Sequence, residues 1–329
     1  MNKLKNSRIL ITGGAGFVGS HILDQLIDED VKEVILIDNM IRGRKENITN
    51  ALKSKKVRFI EGDIRNLDLL DQHFYKVDYC FHMAALRITR CVENPREAMD
   101  VMLGGTYNVM SMCVKHNVKK LVAASSASIY GTADSFPTQE NHHPYNNHTF
   151  YGALKLSNEL LYRSFKDMYG LDYLAMRYFN IYGPRMDREG KYTEVLIRWY
   201  HLIKSGKQPL IYGDGKQTMD FIYIGDVAQA NIFAMMSGST DEVYNIASGK
   251  ETSLEELCLT LIDVMGAKVK PKYISLPLER QKVEVSRRLA DVSKAKHHLN
   301  FTAKIGLTEG LNKLVQWLDK VTVESDYII

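Results

Sequence analysis

Tyr151 and Lys155 are the residues of this sequence whose spacing most directly suggests chemistry. They are four positions apart in a predicted helix over 151–169, so both side chains lie on one helix face. A free tyrosine has a pKa of about 10, and a nearby ammonium group favours the phenolate. The pair therefore predicts a tyrosine base whose pKa is lowered by lysine. The alternative is a chance pair on an exposed surface.

Three serines, Ser125, Ser126 and Ser128, follow a predicted strand over 120–124. Ligands of doubly wound sheets bind at the carboxyl ends of the strands, where a serine hydroxyl can hydrogen-bond a reacting oxygen. The alternative is that these serines only form a turn.

A glycine-rich turn joins the first predicted strand to the first predicted helix. Gly13, Gly16 and Gly19 surround Phe17 and Val18 in GGAGFVG. Such glycines permit a tight turn, close approach of the backbone to a pyrophosphate, and close packing of helix on strand. The helix N-terminus then offers N–H groups to phosphate. The turn predicts a dinucleotide site, although a structural tight turn is the alternative.

Acidic residues at the ends of the next two strands indicate which dinucleotide binds. Asp38, followed by Asn39, is placed to accept hydrogen bonds from ribose hydroxyls and to repel a 2′-phosphate, which favours NAD. Arg42 and Arg44 keep NADP as an alternative. Asp63 is expected to contact the adenine amino group, or else to cap a helix.

Alternating strands and helices must position these residues. The predicted strands are 8–12, 34–38, 57–61, 79–83, 120–124 and 173–177. The predicted helices are 16–28, 101–116, 151–169, 193–205, 226–236, 253–265 and 307–318. This alternation predicts an α/β fold, a doubly wound parallel Rossmann sheet with a smaller mixed α/β C-terminal substrate domain. We place the NAD-binding domain at 1–178, with segments near 220–230 and 240–250 returning to it, and the substrate domain at 179–329.

Composition excludes several classes of function. The net charge of +4 comes from 43 basic and 39 acidic residues without a dominant basic block, so a nucleic-acid partner is not expected. The four cysteines are widely spaced and His142 and His143 are adjacent, so no metal site is predicted. The absence of a signal sequence and of any long apolar run predicts a cytoplasmic protein with no membrane partner.

Several further motifs occur in a characteristic order. They are Thr12–Gly19, Gly62-Asp63, His82–Ala85, Ser125–Gly131, Tyr151–Lys155, Arg177–Gly183, Ile211–Gly215, Asp220–Val227 and Ala290-Asp291. With them the chain resembles the extended short-chain dehydrogenase/reductases, specifically the nucleotide-sugar epimerase/dehydratase group and its UDP-glucose 4-epimerase-like enzymes. The resemblance covers nearly the whole chain. It implies a tightly held NAD, a homodimer and a UDP-, GDP-, CDP- or dTDP-linked sugar substrate.

The resemblance also assigns roles to individual positions. It implies a catalytic set of Ser126, Tyr151 and Lys155, and substrate contacts at Ser126, Ser128 and Asn180. The implied cofactor contacts are Gly13, Gly16, Phe17, Val18, Gly19, Asp38, Asn39, Asp63, Ile64, Met83, Ala84, Ala85, Tyr151, Lys155 and Tyr178.

Ala127 and Ser128 stand at positions that differ between the enzymes of this group that catalyse different reactions. Dehydratases of the group carry an Asp-Glu pair at these positions and decarboxylases carry a glutamate at the second, whereas this chain has no carboxylate there. The resemblance therefore favours 4-epimerisation through a transient 4-keto sugar. The alternatives are a 4-dehydrogenase or 4-keto reductase using the same triad, and a catalytically silent NAD-sensing protein.

Two departures from the group concern the substrate. Met219 stands where an arginine usually meets the substrate pyrophosphate, and Arg288 stands at the position of a residue beside the sugar ring. Arg287 precedes it. A buried diphosphate needs cationic partners, so we predict that at least one of the two arginines, Arg288 in preference, reaches the substrate pocket. The alternative is a solvent-exposed pair.

Overall fold

The computed structural model describes residues 4–188, 195–275 and 285–321. Its strands are β1 Arg8–Thr12, β2 Glu33–Asp38, β3 Val57–Glu61, β4 Tyr79–His82, β5 Lys120–Ser126, β6 Tyr173–Tyr178, β7 Asn180–Tyr182, β8 Leu210–Tyr212, β9 Thr218–Tyr223, β10 Glu242–Ile246, β11 Glu251–Ser253 and β12 Lys272–Ile274. Its α-helices are α1 Phe17–Ile27, α2 Lys45–Ile48, α3 Leu67–Phe74, α4 Ile88–Glu93, α5 Pro95–Met99, α6 Thr106–Lys115, α7 Phe150–Tyr169, α8 Val195–Lys204, α9 Ile224–Met236, α10 Leu254–Val264, α11 Ser293–Leu299 and α12 Leu307–Lys320.

Seven strands form a central parallel sheet in the order β10-β6-β5-β4-β1-β2-β3. The central strands are buried on both faces, and this explains why Ile9, Leu10 and Ile11 show no polar alternation. Helices α1 and α9 pack on one face, whereas α3, α6 and α7 pack on the other. The predicted doubly wound Rossmann sheet is confirmed.

The chain order reverses beside β1, because β2 and β3 lie on one side of it and β4, β5 and β6 on the other. At such a switch point the connections leave toward opposite faces and open a crevice at the carboxyl ends of the strands. The glycine turn after β1 and the serines ending β5 both face this crevice. The topology alone therefore brings distant motifs to one edge.

A smaller mixed unit is built from segments that follow β6 in the sequence. The strands β11, β9 and β7 form one short sheet, and β12 pairs with β8 in another. Helices α8, α10 and α12 enclose its own core, which contains Trp199, Leu261 and Leu314. The segment Glu242–Ile246 lies outside this unit and pairs with β6 in the central sheet.

Some predicted boundaries are wrong. The predicted strand over 120–124 continues to Ser126, so Ser125 and Ser126 are strand residues. The predicted helix over 101–116 is an α-helix only from Thr106, because Asp100–Gly105 forms a π-helical turn. The predicted helix over 193–205 begins within undescribed residues and is observed from Val195. Within the described ranges, no helix is both long and apolar enough to cross a membrane.

Candidate active site

One cavity of about 740 Å³ lies at the carboxyl edge of the central sheet. With one exception, the residues predicted from the sequence as catalytic, cofactor-binding or substrate-binding line this cavity. Those lining it are Gly13, Gly16, Phe17, Val18, Gly19, Asp38, Asn39, Ile64, Met83, Ala84, Ala85, Ser126, Ser128, Tyr151, Lys155, Tyr178, Asn180 and Arg288. The exception is Asp63, although its neighbours Gly62 and Ile64 line the wall.

The glycine turn is built for close backbone approach. Gly13 adopts a φ of +68°, and a Cβ there would lie 2.7 Å from the Ala84 nitrogen. A Cβ on Gly19 would lie 2.3 Å from the Gly13 oxygen, so only glycine lets α1 pack this closely on the turn. Gly16 caps α1 without a side-chain hydrogen bond. The first N–H groups of α1 therefore remain suited to a phosphate.

Asp38 lies at the end of β2 and is only 8% exposed. Its carboxylate accepts hydrogen bonds from the backbone nitrogens of Ala15, at 3.0 Å, and Met40, at 2.9 Å. Burial raises the pKa of Asp38, and these N–H donors oppose that change. The carboxylate is thus oriented toward the cavity by the glycine turn itself.

Asp63 makes its contacts away from the cavity wall. Its carboxylate accepts hydrogen bonds from Asn39, at 2.9 Å, and from the guanidinium and backbone of Arg65. The Arg65 hydrogen bonds lower its pKa to about 2. Asp63 therefore positions Asn39, which does line the cavity, and its expected adenine contact stays a proposal.

Ser126, Tyr151 and Lys155 converge where β5 meets α7. Thr149 caps α7 by accepting a hydrogen bond from Gly152, which places Tyr151 in the first turn and Lys155 one turn later. The Lys155 Nζ lies 5.8 Å from the centroid of the Tyr151 ring. It donates a 2.6 Å hydrogen bond to the carbonyl oxygen of Ala124 in β5. The helix spacing and the strand end together bring the three side chains to one corner of the cavity.

Burial sets the electrostatics of this corner in the protein without cofactor. Burial of the Tyr151 hydroxyl raises its pKa to about 12, and a hydrogen bond with Ser126 opposes the rise only in part. Burial also lowers the pKa of Lys155 to about 8. In the protein without cofactor the pKa of Tyr151 is thus raised, because burial disfavours the phenolate, and the expected lowering by Lys155 beside a positively charged nicotinamide stays a prediction.

A buried polar network distinguishes the serines from one another. Ser125 donates a 2.5 Å hydrogen bond to Glu159, which also forms a 2.6 Å ion pair with Arg177. Ser126 instead has its Oγ beside the backbone nitrogen of Ser128, at 3.1 Å, and its hydroxyl bonded to Tyr151. Ser125 therefore anchors the turn, and Ser126 is the serine that faces the tyrosine.

The carboxylate of Asp187 forms ion pairs with three arginines that line the cavity near Asp38. Asp187 pairs with Arg42 at 3.2 Å, with Arg44 at 3.7 Å and with Arg87 at 3.2 Å. All four residues line the cavity. Arg42 and Arg44, which kept NADP as an alternative, therefore already have an anionic partner.

Three other polar groups in the cavity wall are buried without a partner among the described residues. They are the Asn180 Oδ1, the Arg198 Nε and the Arg288 Nε. The neighbouring Arg287 is exposed and pairs with Glu251 at 2.7 Å. Because unsatisfied buried polar groups are costly, the two arginine nitrogens are suited to an anionic ligand and the Asn180 oxygen to a hydrogen-bond donor.

The comparisons with known proteins agree with this geometry. Residues 9–247 match the model of the NAD dependent epimerase/dehydratase family. A putative UDP-glucose 4-epimerase of Methanocaldococcus jannaschii is 37% identical, over 94% of this chain and 98% of the relative. The chain belongs to the NAD-dependent epimerase/dehydratase family.

Solved structures show the same relationship. A UDP-N-acetylglucosamine 4-epimerase from Methanobrevibacter ruminantium M1, in complex with UDP-N-acetylmuramic acid, has a TM-score of 0.89 and 34% identity, with 96% of this chain and 99% of that chain covered. The UDP-glucose 4-epimerase of Thermus thermophilus, in complex with NAD, has a TM-score of 0.84 and 28% identity, with 96% and 100% covered.

As a member of this family the chain is an NAD-dependent enzyme, and its cavity fits that cofactor. The space above Gly13 and Gly19 has no room for a Cβ, the first turn of α1 offers N–H groups, and Asp38 faces the cavity. We expect the first two features to hold the pyrophosphate and Asp38 to hold the adenosine ribose.

Several residues that line the cavity were not predicted from the sequence. Asp187 and Arg87 were not singled out, because their pairing joins segments about 100 residues apart. Arg185 follows Gly183-Pro184 and pairs with Asp24 at 2.7 Å, so its position after a conspicuous turn was an available signal. Arg198 lies within the amphipathic α8 and has no sequence signal.

His142 and His143 lie in the loop before α7, as expected, but the structure adds a third residue. Their Nε2 atoms lie 2.8 Å and 3.0 Å from the two carboxylate oxygens of Asp134. The contacts tie residue 134 to residues 142–143. They brace the loop that leads into α7, the helix that carries Tyr151 and Lys155.

Proposed function

We propose that this enzyme is a nucleotide-sugar 4-epimerase. The observation that carries the proposal is the combination of Ser126, Tyr151 and Lys155 in one corner with the small residues Ala127 and Ser128 beside them. The carboxylates lining the cavity among the described residues are Asp38 and Asp187, and Asp187 is paired with arginines. Tyr151 is the proposed base for the sugar hydroxyl, and the described part of the cavity offers no carboxylate beside it for the acid–base elimination of water.

In the proposed reaction Tyr151, as phenolate, accepts the proton of the sugar 4-hydroxyl. Ser126 donates a hydrogen bond to the same oxygen and stabilises the charge that develops on it. Lys155 holds the cofactor ribose and keeps a positive charge next to the reacting oxygen. When bound, oxidised NAD supplies the hydride acceptor and a second positive charge beside Tyr151.

The second half of the reaction reverses the first on the other face of the sugar. The 4-keto sugar turns within the cavity, C4 regains its hydride, and Tyr151 returns the proton to the oxygen. The cation charges beside Tyr151 are essential to this scheme, because burial by itself raises the pKa of Tyr151 to about 12.

Arg198, Arg288 and Asn180 are the proposed partners of the nucleotide sugar. Each has a buried polar atom without a partner in the part of the chain that the structure describes, which supports this role. Met219 does not line the cavity and brings no charge to it. The nucleotide remains one of UDP, GDP, CDP and dTDP in this proposal.

The deciding experiment is incubation of the purified enzyme with a panel of nucleotide sugars, with the products identified by NMR and mass spectrometry. An epimerase yields a product of unchanged mass with inverted C4, and the absorbance of reduced nicotinamide stays flat. Stoichiometric reduction or oxidation of the nicotinamide would instead identify a 4-dehydrogenase or a 4-keto reductase. Loss of water or carbon dioxide would contradict the proposal.

We further infer a homodimer in a reducing, cytoplasmic compartment. The outer surfaces of the helical segments on one sheet face expose the apolar side chains of Met99, Tyr107 and Leu160. Such a surface is typical of a subunit interface. All four cysteines are buried and unpaired, which supports a reducing environment. Sedimentation of the enzyme, alone and as Leu160→Glu, tests the dimer.

A further inference from the structure

The guanidinium of Arg288 lines the cavity and has no charge partner among the described residues. Its Nε is buried and has no hydrogen-bond partner within the described residues. Burial lowers the pKa of Arg288, and no carboxylate of the described residues opposes that change. A buried cation without a partner is costly to a fold. The cost is offset when a ligand brings the missing anion.

The backbone around Arg288 places this cation at the sugar end of the cavity. Its N–H donates to the carbonyl oxygen of Thr218 at 2.9 Å. Two residues later, Ala290 packs in one cluster with Ala127 and Phe179. Ala127 lies between Ser126 and Ser128, so the Arg288 segment is adjacent to the turn that binds the reacting oxygen.

The other arginines of this region have different positions or partners. Arg287 points outward, where it pairs with Glu251 and lies over the ring of Phe136. Arg198 lies on α8 in the C-terminal unit, and its Nε also has no hydrogen-bond partner within the described ranges. Arg198 is therefore available to the diphosphate, and Arg288 is left for a negative charge on the sugar.

We propose that the substrate is a nucleotide-linked uronic acid and that Arg288 binds its C6 carboxylate. This inference rests on the proposed 4-epimerase function and names its substrate class. C6 is attached to C5, the neighbour of the reacting C4, and a guanidinium binds a carboxylate through two parallel hydrogen bonds. A C6 carboxylate also fits beside the long Arg288 side chain, because it replaces a hydroxymethyl group of similar size.

A neutral sugar would bind more weakly for a defined reason. Its hydroxymethyl group cannot neutralise the guanidinium, so the complex would retain a buried, unpaired charge. Removal of one partner from a buried, hydrogen-bonded charge pair weakens binding by a factor of at least about 30. This factor sets the expected selectivity between two substrates that differ only at C6.

The test compares UDP-glucuronic acid with UDP-glucose by titration calorimetry on the NAD-loaded enzyme. The wild type should bind the acidic sugar at least about 30-fold more tightly. Arg288→Gln should remove that preference by weakening UDP-glucuronic acid alone, with UDP-glucose changed by less than about threefold. The matched control Arg198→Gln should weaken both ligands by a similar factor. Retained NAD in both variants shows that they fold.

Three outcomes would overturn the inference. They are a wild type that binds UDP-glucose at least as tightly, an Arg288→Gln variant that weakens both ligands equally, and a wild type that binds neither. The second outcome would assign Arg288 to the diphosphate. Product analysis on the same samples tests the proposed function separately. A product that has lost carbon dioxide, or one without inversion at C4, would contradict the epimerase function and leave the measured binding preference intact.

Discussion

Replacement of Lys155 by methionine should abolish catalysis and should also remove the destabilisation that a buried ammonium group causes in the folded protein. Lys155 is only 4% exposed, and burial lowers its pKa from 10.5 to about 8. At neutral pH the folded protein must hold a buried ammonium, and this pKa difference corresponds to about 3 kcal/mol of destabilisation. The variant also leaves the carbonyl of Ala124 without its donor, which costs about 1–3 kcal/mol.

The dependence on pH separates these two contributions. A folded-state pKa below the unfolded value means that the cost is complete below the folded pKa and disappears as pH rises above the unfolded pKa. Between about pH 7 and about pH 9.5 the wild type should therefore gain about 2 kcal/mol relative to Lys155→Met. The loss at Ala124 does not change with pH and cancels from this comparison.

Equilibrium urea unfolding of the NAD-free proteins at both pH values measures the effect. Lys296→Met, at an exposed position, is the control for a general effect of removing a lysine. A difference between wild type and Lys155→Met that stays constant with pH would refute the buried-ammonium argument. Turnover of Lys155→Met should fall by at least about 100-fold at either pH.

Further predictions concern the base, the cofactor and the glycine turn. Tyr151→Phe should lower turnover at least about 100-fold while NAD stays bound, and near-normal rates would remove Tyr151 from its role. Calorimetry should show NAD binding at least about tenfold more tightly than NADP, with the preference reduced in Asp38→Asn; equal dissociation constants would point to Arg42 or Arg44. Gly19→Ala should lose NAD or fail to fold, because its Cβ would lie 2.3 Å from a backbone oxygen.

The pairing of Arg42 and Arg44 with Asp187 bears on cofactor choice. Unpaired arginines after β2 would offer a site for a 2′-phosphate. In this structure both guanidinium groups contact the Asp187 carboxylate, which arrives from the segment after β7. A carboxylate from the C-terminal half therefore supports the preference for NAD over NADP that we expect from Asp38 in the N-terminal half.

Local patterns were sufficient to predict the elements that carry the site. The apolar runs of β1 to β6 and the glycine turn follow from chain-local rules, since a strand buried on both faces must be apolar and a tight phosphate turn needs glycine. The Tyr151–Lys155 pair follows from helix spacing in the same way. These features depend on near neighbours in the chain, so the sequence was enough to predict them.

The groups that share a charge environment could be recognised only in the folded chain. The rise in the pKa of Tyr151 comes from its removal from water, and spacing on a helix does not reveal this. The partners of Asp63 and Asp187, and the lack of one for Arg288 among the described residues, depend on which distant segments meet. Desolvation and ion pairing are set by three-dimensional neighbours. For that reason the fold and the positions of the reacting groups could be predicted from the amino-acid order, whereas their electrostatics could not.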